Sequence, residues 1–209
     1  MHSEPGALLF DFDGVLADTE PLYWRAWSSV LALHDVPLSW DDYCRIGRGI
    51  KDEQMLKSLP QLASDPPLLA RVKQRMGERK ELVRQWWSEE LPISPSTVDL
   101  LKSLGGFRLG LVTSSDRCDV EPLLCRADIK SCFHAIVFGE DTHHHKPDPE
   151  PYLVIRERLG VETGTAFEDS DAGLQSATSA GFQAIRVHDP RQLPAIVAKM
   201  LGRTGESLA

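Results

Sequence analysis

Five short runs of near-continuous apolar residues recur along the chain: "ALLFDF" (7–12), "RLGLVTSS" (108–115), "HAIVFG" (134–139), "TAFEDS" (165–170) and "FQAIRV" (182–187). A strand with one face in water alternates apolar and polar residues, whereas a strand of a parallel sheet, covered on both faces, does not. Helical patterns separate the runs from residue 96 onward. "STVDLLKSLGG" opens on a serine cap and closes on glycine, and "DPEPYLVIRERLG" carries proline in its first turn and Gly160 at its end. "DAGLQSATSAG" and "DPRQLPAIVAKMLG" complete the set. Strand and helix alternating at this spacing predict an α/β fold with a doubly wound, Rossmann-like parallel sheet.

Residues 20–90 break that rhythm and read as almost pure helix: "PLYWRAWSSVLALHD", "WDDYCRIG", "KDEQMLKSL", then the long charged "PLLARVKQRMGERKELVRQWW". Pro92 and Pro95 return the chain to the α/β pattern. The expected organisation is a catalytic core of residues 1–19 and 91–209, with residues 20–90 inserted as a helical cap domain. Trp24, Trp27, Trp86 and Trp87, at helical spacing, read as the packing of that cap. "RTGESLA" reads as a frayed tail.

Of the 209 residues, 42% are hydrophobic and 26% charged, an ordinary globular balance. The net charge of −8 disfavours nucleic acid and anionic membrane surfaces as partners, so a small anion would need a local device to bind. No apolar run reaches the ~18 residues of a membrane span. "MHSEPG" lacks the basic-then-apolar order of a signal peptide. Cys44, Cys118, Cys125 and Cys132 show no Cys-x-x-Cys spacing and read as reduced, mostly buried thiols. The chain is expected to be soluble and cytoplasmic.

In an open parallel sheet, ligands bind beyond the carboxyl ends of the strands. The residues there are Asp11 and Asp13 after the first run, Thr113, Ser114 and Ser115 after the second, and Glu168 and Asp169 after the fourth. Lys146 follows the third, in "HHHKPDP". Several carboxylates sharing a few ångströms push one another toward protonation unless a cation intervenes. A hard divalent ion with oxygen ligands, Mg²⁺, resolves the conflict and normally partners a phosphate. Lys146 and Thr113 would then face the phosphoryl oxygens. Of the two acids in Asp-x-Asp, one can attack phosphorus while the other exchanges protons with the leaving group and then with water.

"DFDGVLADTE", "LVTSS", "HKPDPEPYL" and "FEDSDAGLQSATSAG", in that order, resemble the haloacid dehalogenase superfamily, in its beta-phosphoglucomutase and phosphoglycolate phosphatase branch. The resemblance covers nearly the whole chain. It implies that Asp11 is the nucleophile, forming an aspartyl-phosphate, and Asp13 the general acid/base. It further implies Mg²⁺ held by Asp11, the Asp13 carbonyl and Asp169, with Glu168 as a further ligand or supporting partner. Thr113, Lys146 and the Ser114 N–H would bind phosphate. The dehalogenases lack an acid at the position of Asp13, which favours a small phosphorylated metabolite over a haloacid as substrate. The mutase pattern carries a histidine where this chain has Tyr23 and an arginine where it has Asp52, which favours a plain phosphatase over a phosphosugar mutase. Tyr23, Arg45, Arg48 and Lys51 are the candidate substrate-facing residues of the cap, which would close over the site.

Gly14 is expected to let the loop turn beside the acids, Asp18 and Thr19 to cap the following helix, and Gly173 and Gly181 to serve close packing. The triple histidine 143–145 reads as a solvated loop, since three consecutive imidazoles cannot easily face one ion. A receiver-type signalling domain shares the clustered acids, hydroxyl and lysine, yet needs neither the inserted cap nor Asp-x-Asp on the first strand. A catalytically silent binding protein on the same fold is the remaining alternative, opposed by the full set of acids, lysine and threonine.

Overall fold

The computed structural model describes residues 6–47 and 52–202. Five strands form one sheet: β1 (Ala7–Phe10), β2 (Leu109–Val112), β3 (Ala135–Val137), β4 (Gly164–Glu168) and β5 (Gln183–Arg186). Their order is β3-β2-β1-β4-β5 and every pairing is parallel. The fold is therefore the doubly wound α/β sheet that the apolar runs predict. β1, β2 and nearly all of β4 are buried, while the edge strands β3 and β5 are partly open.

The chain winds outward from β1 through β2 to β3, then crosses back to β4 beside β1. In an open parallel sheet such a reversal, here between β1 and β4, marks a crevice at the carboxyl ends of the two strands. Each strand is shorter than its apolar run. Asp11 and Thr113 are the first residues past β1 and β2, and Asp169 the first past β4. The polar residues thus sit where the ladder stops and the backbone is released. Asp11 is still tied there by its N–H to the Phe167 carbonyl (3.0 Å), and Thr113 by its N–H to the Val137 carbonyl (3.0 Å).

Contacts divide the chain into two compact units, residues 1–18 with 91–209 and residues 19–90. In the first, five helices cover the sheet: α7 (Pro95–Ser103), α8 (Arg117–Arg126), α9 (Glu150–Leu159), α10 (Asp171–Ser179) and α11 (Leu193–Met200), numbered after the six of the second unit. Ser94, not Ser96, caps α7, accepting from the Thr97 N–H (3.1 Å), because Pro95 takes the first helical position. Gly160 ends α9 in the left-handed conformation (φ +64°), which a side chain resists. Ser170 caps α10 through the Gly173 N–H (3.1 Å). The core joins Leu9, Val112, Ile155, Ala166 and Phe182 around the sheet, with Phe10 and Phe167 stacked at 5.0 Å.

The second unit is helical: α1 (Glu20–Ala32), α2 (Trp40–Ile46), α3 (Asp52–Ser58), α4 (Pro60–Ala63), α5 (Pro66–Gln74) and α6 (Met76–Glu89). The long charged segment is two helices, not one. Arg75 leaves helical backbone (φ −93°, ψ 8°), and Gly77, a weak helix former, follows it. Trp27 and Trp87 are buried, whereas Trp24 and Trp86 are only partly so. Thr19 occupies the cap position of α1, yet its side chain makes no cap hydrogen bond. The cysteines also depart from expectation. Cys44, Cys118 and Cys125 are exposed, Cys132 is half-buried, and no disulfide joins them. Each lies on a helical segment that presents it outward, so hydrophobicity alone does not place it. No helix of the described residues is long and apolar enough to cross a membrane.

Candidate active site

The crevice is built around Lys146. Its side chain is buried, and its ammonium lies 2.9 Å from Asp11 Oδ1, 2.6 Å from Glu168 Oε1 and 2.9 Å from the Val112 carbonyl. An ammonium has three protons, and three oxygens receive them. Burial works against the charge of Lys146, but Asp11 and Glu168 outweigh it and hold the amine firmly protonated, its pKa raised. Asp11 has the opposite problem. Burial raises its carboxyl well above the ordinary range, Lys146 pulls it down, and Glu168, Asp169 and Asp13 push it up again.

Asp13, two residues on and past the end of β1, has a different partner. Its Oδ2 accepts the Ser115 hydroxyl at 2.6 Å, and the Ser115 N–H in turn donates to Thr113 Oγ1 at 3.0 Å. The buried Thr113 thereby braces the turn after β2, while Ser114 is exposed. The carbonyl of Ser114 leaves no room beside Gly139, where a Cβ would lie 2.4 Å from it. Ser115 is thus the serine that meets an acid, and sequence reasoning singled out its neighbour instead.

Glu168 is fully buried. Oε1 accepts from Lys146 and from the Tyr152 hydroxyl (2.6 Å), whereas Oε2 has no hydrogen-bond partner among the described residues. It lies against Gly173, where a Cβ would stand 1.9 Å from Oε2. Gly14 has φ +72°, and a Cβ there would lie 2.4 Å from Asp169 Oδ2. Two glycines therefore make space for two acids. Beyond the sheet, Arg186 of β5 steadies the loop by donating to the Asp169 carbonyl (2.7 Å).

Asp11, Glu168 and Asp169 each offer a carboxylate oxygen, all within 4.8 Å of one another. Octahedral Mg²⁺ with ligands at ~2.1 Å places opposite oxygens about 4.2 Å apart, a little inside that bound. The donor set is purely hard oxygen, Lys146 offsets a single charge, and Glu168 Oε2 is orphaned, so the residues fit a hard divalent cation. The histidine loop is organised differently. The Glu150 carboxylate accepts the N–H groups of His143 and His144 (2.8 Å each) and faces His144 Nδ1 at 2.7 Å. Those backbone donors push Glu150 down to about 2.

In the helical unit, the half-buried Tyr23 packs edge-on against Trp87, with the Arg79 guanidinium 5.5 Å from its ring. Asp52 accepts from Trp27 Nε1 (2.9 Å) and pairs with Arg79 (2.8 Å), a residue that is 7% exposed. Arg79 was hidden in a charged helical stretch whose pattern reads as surface. Arg45 is exposed and bonds Asp42. Arg48 and Lys51 lie outside the described residues.

Fold and site define a doubly wound α/β protein whose strand ends gather acids around a buried lysine. A family model described as haloacid dehalogenase-like hydrolase matches residues 8–187. The chain belongs to that family and is an enzyme of the hydrolase class. It is 36% identical over 181 residues to the phosphorylated carbohydrates phosphatase of Thermotoga maritima, covering 86% of this chain and 83% of the relative. It is 33% identical over 194 residues to the fructose-1-phosphate phosphatase YqaB of Escherichia coli, covering 90% and 98%. The beta-phosphoglucomutase of Bacillus subtilis is 31% identical over 194 residues, covering 87% and 82%.

Proposed function

We propose that this enzyme is a Mg²⁺-dependent phosphohydrolase of small phosphate monoesters, sugar phosphates above all. The observation that carries the reading is the buried Asp11 clamped by Lys146, with Asp13 on a separate bond to Ser115. In the first step Asp11 Oδ attacks phosphorus, the ester P–O bond breaks, and Asp13 gives its proton to the leaving oxygen. In the second, Asp13 takes a proton from water as the water oxygen attacks the aspartyl-phosphate. Phosphate leaves and Asp11 is regenerated. Lys146 holds Asp11 in place and, as charge builds, exchanges a protein oxygen for a phosphoryl oxygen. Thr113, with Ser114, supports the same group. Asp11, Asp13, Asp169 and Glu168 would hold Mg²⁺, which when bound neutralises the carboxylates and polarises the phosphoryl group. The two relatives named as phosphatases of phosphorylated sugars support the substrate class.

The mutase relative supports a second reading, in which the phosphoryl group passes to another hydroxyl of the sugar. Tyr23 and Asp52, the latter engaged with Arg79, stand against it. A panel of phosphorylated metabolites incubated with Mg²⁺ separates the readings: free phosphate marks the hydrolase, isomerised sugar phosphate the mutase. Asp11→Asn is expected to abolish turnover, and Asp13→Asn to lower it by about 10²–10⁴-fold. Folded variants with wild-type turnover would overturn the assignment.

A further inference from the structure

The hydroxyl of Tyr152 is not used in the scheme above. Tyr152 lies in the first turns of α9, six residues after Lys146, and is fully buried among Ile155, Ala177 and Phe182, an apolar setting that a phenylalanine would fill equally well. Its ring stands 6.0 Å from that of Phe182 and 5.7 Å from the Lys146 ammonium. Burial of a phenol without a partner is costly, and here the partner is Glu168 Oε1 at 2.6 Å.

Glu168 Oε1 is consequently held by two donors, Lys146 and Tyr152, on one side, while Oε2 is left buried without any among the described residues. Two donors on one oxygen restrain the carboxylate's last torsion more than one would, and Gly173 packs against the other oxygen. We infer that Tyr152 is a positioning residue: its hydroxyl fixes the rotation of Glu168, presents that carboxylate to the cation site, and keeps Lys146 directed at Asp11. This rests on the reading of the acids as a Mg²⁺ site. With phenylalanine at 152, Lys146 alone holds Oε1, and the carboxylate is free to swing.

Outer partners of metal-binding residues typically change affinity by about 10–100-fold when removed. Tyr152→Phe is therefore expected to weaken Mg²⁺ binding by about tenfold, read by calorimetric titration without substrate. Melting in EDTA should fall only by the loss of that one hydrogen bond to the buried carboxylate, because the ring and its packing remain. Phe182→Leu serves as the contrasting variant. It disturbs the same ring but spares the hydroxyl, so it should lower the melting temperature and leave Mg²⁺ affinity unchanged. Equal Mg²⁺ affinity in wild type and Tyr152→Phe overturns the inference while leaving the phosphohydrolase reading intact. An equal loss in Phe182→Leu overturns it too, since packing then explains the effect. A wild-type protein that binds no Mg²⁺ overturns both.

Discussion

Replacing Gly173 by alanine tests the close approach between α10 and the buried acid. The added Cβ would meet Glu168 Oε2 at 1.9 Å, Cδ at 2.2 Å and Oε1 at 2.6 Å. Either the carboxylate leaves Lys146 and Tyr152 or the first turn of α10 lifts from the sheet. Alanine gains about 1 kcal/mol of helix propensity over glycine. Against that, overpacking costs about 1–3 kcal/mol and a lost bond to a charged group about 1.5–3 kcal/mol. The net loss is about 1.5–5 kcal/mol, which for a chain of this size lowers the melting temperature by about 3–20 °C. The same substitution at the exposed Gly77 of α6, where a Cβ meets nothing within 4 Å, should raise stability by about 0.5–1 kcal/mol. Thermal denaturation of both variants, with phosphate release alongside, reads the contrast. A Gly173→Ala protein as stable and as active as wild type would refute the reasoning.

Three other measurements bear on the site. The Asp11 carboxyl is raised in the fold, so the stability linked to this group is full below its unfolded value near 3.8 and is lost as pH rises through the folded value. Metal-free Asp11→Asn should therefore match wild type near pH 3 and melt above it at pH 7, a gap that denaturation in EDTA across pH measures. Ser115→Ala removes the 2.6 Å bond that steers Asp13 and should lower turnover up to about tenfold with little change in melting temperature. Glu150 is lowered to about 2, so its support of the histidine loop is present above the unfolded value near 4.5 and fades as pH falls toward 2. Glu150→Gln at neutral pH should speed hydrogen exchange at the His143 and His144 amides.

Sheet and helix order were legible because parallel strands, buried on both faces, must be apolar throughout, and because serine, proline and glycine punctuate helices locally. The apolar runs outlast the strands by one to three residues, since hydrophobicity continues past the last ladder bond. The helix break at Arg75 escaped notice because its signal, a glycine two residues on, is weak. Tyr152 and Arg79 were missed for a different reason. A tyrosine among Leu, Val and Ile, or an arginine in a charged helix, looks the same whether or not its polar atoms are buried.

What this sequence determined alone is the set of elements and which polar residues stand at their ends, since those follow from periodicity and turn chemistry within a few residues. Tertiary structure decided the partnerships. Asp11 meets Lys146 across 135 residues and Asp13 meets Ser115 across 102, because the chain reverses direction beside β1. Glu168 is shared by Lys146 and Tyr152 because α9 and α10 pack on the same carboxylate, with Gly173 allowing the approach. Such contacts depend on distances between segments remote in sequence, which no local pattern encodes.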